Sequence, residues 1–433
     1  MNPINDKLDK DIPLGLKIVL FLAPTTLFID PTNPTLIYNI VGFEDTTLGI
    51  PLTLVSIIIA LPVIIGNMTK KSVTFLTIVM AIISISFFNA IFNGSTEPIA
   101  MGVVWSLPFL WLSYYFALEL NPLSPKVLRP IAFGTIANGL YLFAAGVGEF
   151  LLYGSLQQDG RISSNLVLPG HYQMYVYIPT MICFSYILLI SSFRSGIVNL
   201  FRFETVIFTI VALSCLMFMA SREAILAFTL SMIMIYLINS RMKLLILSIS
   251  FPAIIILLLT NLTYLADKAA SSTYTSISKF SQFTETGQSY GGRDLAVNQY
   301  FEFFLEKPLF GTGMRSPLNN YMGFYTDFPS AHNYYVDTLA WGGLALFIPI
   351  IYIIGTFLYK ACAGYIMVLE KGNEYILMRS LFTITIVYLL FSNNINVPMR
   401  QPLLASFIGL VLYSTSVCYD HLVSEKRRLA GTR

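Results

Sequence analysis

Twelve apolar runs, each near the roughly 20 helical residues that cross a hydrocarbon layer of about 30 Å, leave this chain few folds to choose from. They lie at about 14–28, 48–66, 73–92, 101–120, 131–150, 174–191, 205–220, 224–239, 244–262, 335–358, 377–391 and 402–418. Backbone in hydrocarbon must satisfy its own amide groups, so runs of this length read as transmembrane helices. The predicted fold is all-α, a polytopic integral membrane bundle of about twelve transmembrane helices. Only 11% of residues are charged, against about 25% in a soluble domain, which agrees. Pro24, Pro108, Pro179, Pro252 and Pro349 fall within the runs, where neighbouring helices can supply the missing partners. Asp6, Asp9 and Asp11 precede the first run and no small-residue cleavage site follows it. A retained span from Leu14 is therefore expected, not a cleaved signal.

The cations orient these spans. With the N-terminus inside, the inner connections carry Lys70 and Lys71, Lys126 and Arg129, Arg194 and Arg202, Arg241 and Lys243, Lys360 and Lys371, and the tail carries Lys426, Arg427 and Arg428. The short outer connections carry only Arg161, Arg222 and Arg400, and long loops are exempt from the rule. Residues 1–262 are thus expected to hold spans one to nine, 263–334 one long outer loop, and 335–433 the last three spans and an inner tail. A net charge of +3 gives no field that would recruit nucleic acid. Cys183, Cys215, Cys362 and Cys418 sit in apolar or inner segments, so neither a disulfide framework nor a thiolate metal site is expected.

This orientation puts Arg161, His171, Arg222, Arg293, His332 and Arg400 on the outer face, where arginine is not placed by default. Arg222 stands in a short connection between two short runs, at the depth where a guanidinium binds an anion, snorkels to lipid phosphates or pairs with Glu223. Arg293 opens a predicted amphipathic, aromatic-rich helix over 293–306 that ends in a turn at Pro308, Gly311 and Gly313. A helix start suits an anion such as a diphosphate; pairing with Asp294 or Glu223 is the alternative. His332 precedes the tenth run and can accept a proton near neutral pH, or can simply anchor the helix. Tyr334, Tyr335 and Trp341 are expected to be interface aromatics. The outer carboxylates form no Asp-x-Asp pair, and Glu44-Asp45 is the one adjacent acidic pair. No metal is expected, since guanidinium groups can neutralise a diphosphate by themselves.

At these residues the chain resembles the O-antigen polymerases and O-antigen ligases of bacterial envelopes. The matching features are Ser221-Arg222 between two spans, Arg293 followed by a helix and the Pro308-x-x-Gly311-x-Gly313 turn, then His332-Asn333 with Gly342-Gly343 behind it. The resemblance implies a GT-C-like fold whose long periplasmic loop contains short helices, in the bacterial inner membrane with both termini cytoplasmic. It further implies a glycosyltransferase of surface polysaccharide synthesis that needs no cofactor. Its partners would be undecaprenyl-diphosphate-linked donor and acceptor, the lipid bilayer and, as a candidate, a chain-length regulator protein. Carried over, Arg222 and Arg293 would bind the diphosphate and His332 would be the base, with Arg161, His171, Asn333 and Arg400 as further substrate contacts. Ligases of the family show a small or aromatic residue three places after the glycine that matches Gly343. Leu346 stands there, which favours a polymerase over a ligase. A lipid-linked oligosaccharide flippase is the remaining alternative, although no internal repeat supports it.

Overall fold

The computed structural model describes residues 11–24, 49–93, 97–153, 174–196, 222–236, 293–313, 331, 333–369, 371–392 and 402–431. Among them every regular element is helical. In chain order these are α1 (Leu14–Leu22), α2 (Gly49–Gly66), α3 (Lys70–Asn93), α4 (Glu97–Leu118), α5 (Pro125–Tyr153), α6 (Met174–Arg194), α7 (Arg222–Tyr236), α8 (Arg293–Glu306), α9 (Tyr334–Val368), α10 (Ile376–Val387) and α11 (Pro402–Gly431). Ten of the twelve expected spans fall on these helices, and those at 205–220 and 244–262 lie outside the described residues. Two stretches, Lys70–Phe92 and Tyr334–Val368, are long and apolar enough to cross a bilayer by length and composition.

Helix α10 is the axis of one half of the bundle: every residue in it except Ile386 is buried, and α6, α7, α9 and α11 pack around it. Its hydroxyls tie it to two of those neighbours. Ser380 Oγ lies 2.5 Å from Ser191 Oγ on α6, and Thr385 Oγ1 lies 2.7 Å from Thr415 Oγ1 on α11. Such pairs add about 0.6 to 2 kcal/mol each where helices have no hydrophobic drive to associate. The other half is held by α4, which packs on α2, α3 and α11. Outside, the bundle shows large apolar side chains to its surroundings, among them Phe92 and Tyr352 at 77% exposure and Leu151 at 78%. Hydroxyl pairs within and apolar side chains without describe a bundle surrounded by hydrocarbon.

One end of this bundle is defined by charge. Lys71 Nζ and Lys360 Nζ both reach the Asp420 carboxylate of α11, at 2.7 and 3.2 Å, and Lys371 Nζ reaches Glu425 at 3.2 Å. Lys126 Nζ pairs with Asp11 at 3.0 Å and holds that carboxyl below its usual range. Pairs this exposed contribute only about 0–1 kcal/mol. Their meaning is positional: Lys71 and Lys360, which the sequence assigns to separate inner connections, meet at one carboxylate of α11.

Arg379 works beside them. It is fully buried, and its guanidinium donates to Ile235 O of α7 at 3.3 Å, to Val368 O of α9 at 2.9 Å, and to Leu369 O and Lys371 O at 3.2 and 2.8 Å. The last carbonyls of a helix have no intrahelical partner and carry partial negative charge. A planar fork with several donors can satisfy two helix ends at once. Because α7 and α9 meet at their C-terminal ends, where Tyr365 also donates to Met234 O at 2.6 Å, their N-terminal ends lie toward the opposite end of α10. Replacing Arg379 with Met should remove these bonds at both helix ends and cost about 2–4 kcal/mol. Arg379→Lys should recover part of that, since an ammonium cannot span both ends. Thermal unfolding of purified protein in detergent, followed by loss of the monodisperse peak, measures the order wild type, Lys, Met.

Candidate functional site

Helix α9 is two helices joined at Gly343, whose φ of 60° and ψ of −164° are not helical. A continuous helix would pair Leu344 N with Ala340 O and Ala345 N with Trp341 O. Here all four groups turn instead to the turn that follows α8. Thr312 N and Gly313 N donate to Ala340 O and Trp341 O, each at 2.9 Å, while Leu344 N and Ala345 N donate to Pro308 O and Leu309 O at 2.9 and 3.0 Å. Asn89 Nδ2 of α3 adds a bond to Phe310 O at 2.9 Å. A break at membrane depth needs such substitutes for its lost bonds.

The glycines are required by distance. A Cβ on Gly343 would stand 2.4 Å from Leu309 O, and one on Gly311, at φ +67°, would stand 2.4 Å from the Trp341 carbonyl carbon. The Pro308-Gly311-Gly313 and Gly342-Gly343 motifs are therefore the two halves of one interlocked unit.

That unit carries the start of α9. Asn333 is its N-cap, its Oδ1 accepting from Tyr335 N and Val336 N at 3.0 and 3.2 Å. This cap explains the asparagine locally. One turn on, Asp337 is completely buried, and its Oδ1 accepts from Ala331 N at 2.9 Å. Tyr334 stacks on Trp105 of α4 with ring centroids 4.8 Å apart, and Trp105 meets Trp341 edge-on at 5.3 Å. Tyr300 of α8 closes on Trp341 at 6.1 Å. Tyr335 OH donates to Leu389 O within the π-helical turn Tyr388–Ser392 that continues α10. Tyr334 and Trp341, expected as interface aromatics, are thus core residues that join α4, α8 and α9.

Arg222 is the first residue of α7 and Arg293 the first of α8. Only their backbone positions are described; their side chains, together with His332, Arg161, His171 and Arg400, lie outside the described residues. The helix over 293–306 is present as expected, but it turns Ala296 and Tyr300 inward against α9 and leaves Phe301 and Leu305 exposed. Helix α7 also packs against the π-helical turn, as does the start of α9 through Tyr335. The structure therefore brings the α7 and α9 starts to one end of α10, opposite Arg379. Arg222 and Arg293 each open a helix, and a helix start, with its free amide groups and positive dipole end, is a place that suits an anion.

Asn89 and Asp337 escaped the sequence reading. A carboxylate inside the tenth apolar run was the available signal for Asp337, because an ionisable group there is costly.

Residues 206–351 match the family model described as O-antigen ligase. The match takes in Arg222, Arg293, the turn at 308–313 and the break at Gly343, about a third of the 433 residues. It supports the O-antigen ligase and polymerase family, a function of that type, and, with the apolar helices, a membrane protein. No curated protein matches the chain significantly.

The interlock makes Gly343→Ala a sharp test. A side chain in that backbone region costs roughly 1–3 kcal/mol before any clash, so Gly343→Ala should unfold at a clearly lower temperature. At Gly355, further along α9, a Cβ would meet nothing within 4 Å. Gly355→Ala should be neutral or slightly stabilising in the same detergent melt.

Proposed function

We propose that this chain, with its O-antigen ligase-type segment at 206–351, polymerises lipid-linked glycan repeat units at the end of the bundle opposite the lysine cluster. That end faces the periplasm, in an inner membrane with both chain termini cytoplasmic. The donor is a glycan on undecaprenyl diphosphate and the acceptor is the next lipid-linked repeat unit. Arg222 and Arg293 bind the donor diphosphate, and His332 takes the proton of the acceptor hydroxyl as its oxygen bonds the anomeric carbon. The bond from that carbon to the diphosphate oxygen breaks, and undecaprenyl diphosphate leaves with its negative charge held by the two guanidinium groups. Arg161, His171 and Arg400 contact sugar or phosphate, and Asn333 serves by fixing the start of α9. A diphosphate is already a good leaving group, so the attacking hydroxyl is the partner that needs a base.

What supports this reading best is the shared end of α7 and α9. Their C-termini meet at Arg379, so Arg222 and the residues flanking His332 start from one side, within the matched segment. A ligase acting on lipid A core is the second reading, favoured by the description of the matching family model. Against it, Leu346 occupies the place where the ligases are small or aromatic, and here it is buried over Gly342.

Purified protein given lipid-linked repeat units should form a ladder of lengthening products, unchanged by chelator. Transfer solely to lipid A core would identify the ligase, and movement between leaflets without transfer the flippase. His332→Ala should lower turnover by about 10²–10⁴-fold while donor still binds. Arg222→Lys and Arg293→Lys should each weaken donor binding, because an ammonium lacks the bidentate fork.

A further inference from the structure

A base is only as good as its placement, and the residue before His332 and the residue after it are both tied to the first turn of α9. Behind His332, Ala331 N donates to Asp337 Oδ1 at 2.9 Å, and Ala331 itself is buried. Ahead of it, Asn333 caps Tyr335 N and Val336 N, and its own carbonyl accepts from Asp337 N at 2.9 Å. Asp337 is therefore tied to both neighbours of position 332, to Ala331 through its carboxylate and to Asn333 through its backbone amide. A carboxylate is a costly choice in an apolar run; it is also the strongest acceptor for a backbone amide and is favoured in a helix's first turn.

We infer that Asp337 is a positioning residue for His332: its carboxylate grips the Ala331 amide and so fixes the backbone from which the imidazole meets the acceptor hydroxyl. This rests on reading His332 as the base. Asp337 does not touch substrate; its effect passes through residue 332, and a small misplacement of a catalytic group costs on the order of 10²-fold.

The experiment is transfer kinetics with lipid-linked repeat units on wild type, Asp337→Ala, Asp337→Asn, His332→Ala and the Asp337→Ala, His332→Ala double variant. Asp337→Ala should lower kcat by about 100-fold with donor KM unchanged. Asp337→Asn should stay within several-fold of wild type, because its Oδ1 still accepts from Ala331. The double variant should be no slower than His332→Ala alone, as expected of groups acting through one another. Near-normal kcat in Asp337→Ala, an Asn variant as slow as the Ala variant, equal losses in kcat and donor binding, or a double variant slower than His332→Ala would each overturn the inference. Should Asp337→Ala fail to fold, Ala331→Pro removes the same bond from the donor side, and full activity there overturns it equally. If His332→Ala itself turns over normally, the base assignment falls and takes this inference with it. If His332→Ala is inactive while Asp337→Ala is normal, the positioning role alone falls.

Discussion

An exchange of backbone hydrogen bonds between the turn at 308–313 and the break in α9 holds this structure's candidate site in place. Interrupting a helix at membrane depth frees amide groups that lipid cannot satisfy. Here the two helical bonds given up at Gly343 are replaced by four bonds to the turn after α8. The exchange is possible only because Gly311 and Gly343 let two backbones approach within the space of a Cβ. Its consequence is positional: α8, which starts with Arg293, is fixed against the same helix whose first turn follows His332. Trp105, Tyr300, Tyr334 and Trp341 pack against one another behind that junction.

The opposite end uses the same logic with a side chain. Arg379 donates to carbonyls at the C-terminal ends of α7 and α9 together, which ties those two helices to each other. Helices α7 and α9 are thus joined at their C-terminal ends, and their N-terminal ends lie toward the other end of α10.

Much of the architecture was legible because hydrophobicity at this strength dictates helices. Ten runs became helices, and the helix over 293–306 has its expected bounds. The glycine motifs at 308–313 and 342–343 were visible too, but not that they bind each other. Pairing between segments 30 residues apart leaves no periodic trace, and a helix break looks like any other glycine in an apolar run. Tyr334 and Trp341 differ from expectation for a related reason: an aromatic at the end of a span reads as interface unless a neighbour such as Trp105 of α4 covers it. Asp337 and Arg379 lay hidden in apolar runs whose average hydropathy outweighs one charge. His332 lies outside the described residues, whereas the residues on either side of it are tied to named partners.

The central claim, that positions 222 and 332 open onto one aqueous side and the lysine cluster onto the other, is tested most directly by thiol labelling. In a background with the four native cysteines replaced, single variants Arg222→Cys, His332→Cys, Lys371→Cys and Lys426→Cys would meet a membrane-impermeant reagent in intact spheroplasts. Positions 222 and 332 should label from outside, and 371 and 426 only after lysis. Labelling of 222 and 332 from opposite sides, or of 371 together with 332, would contradict it.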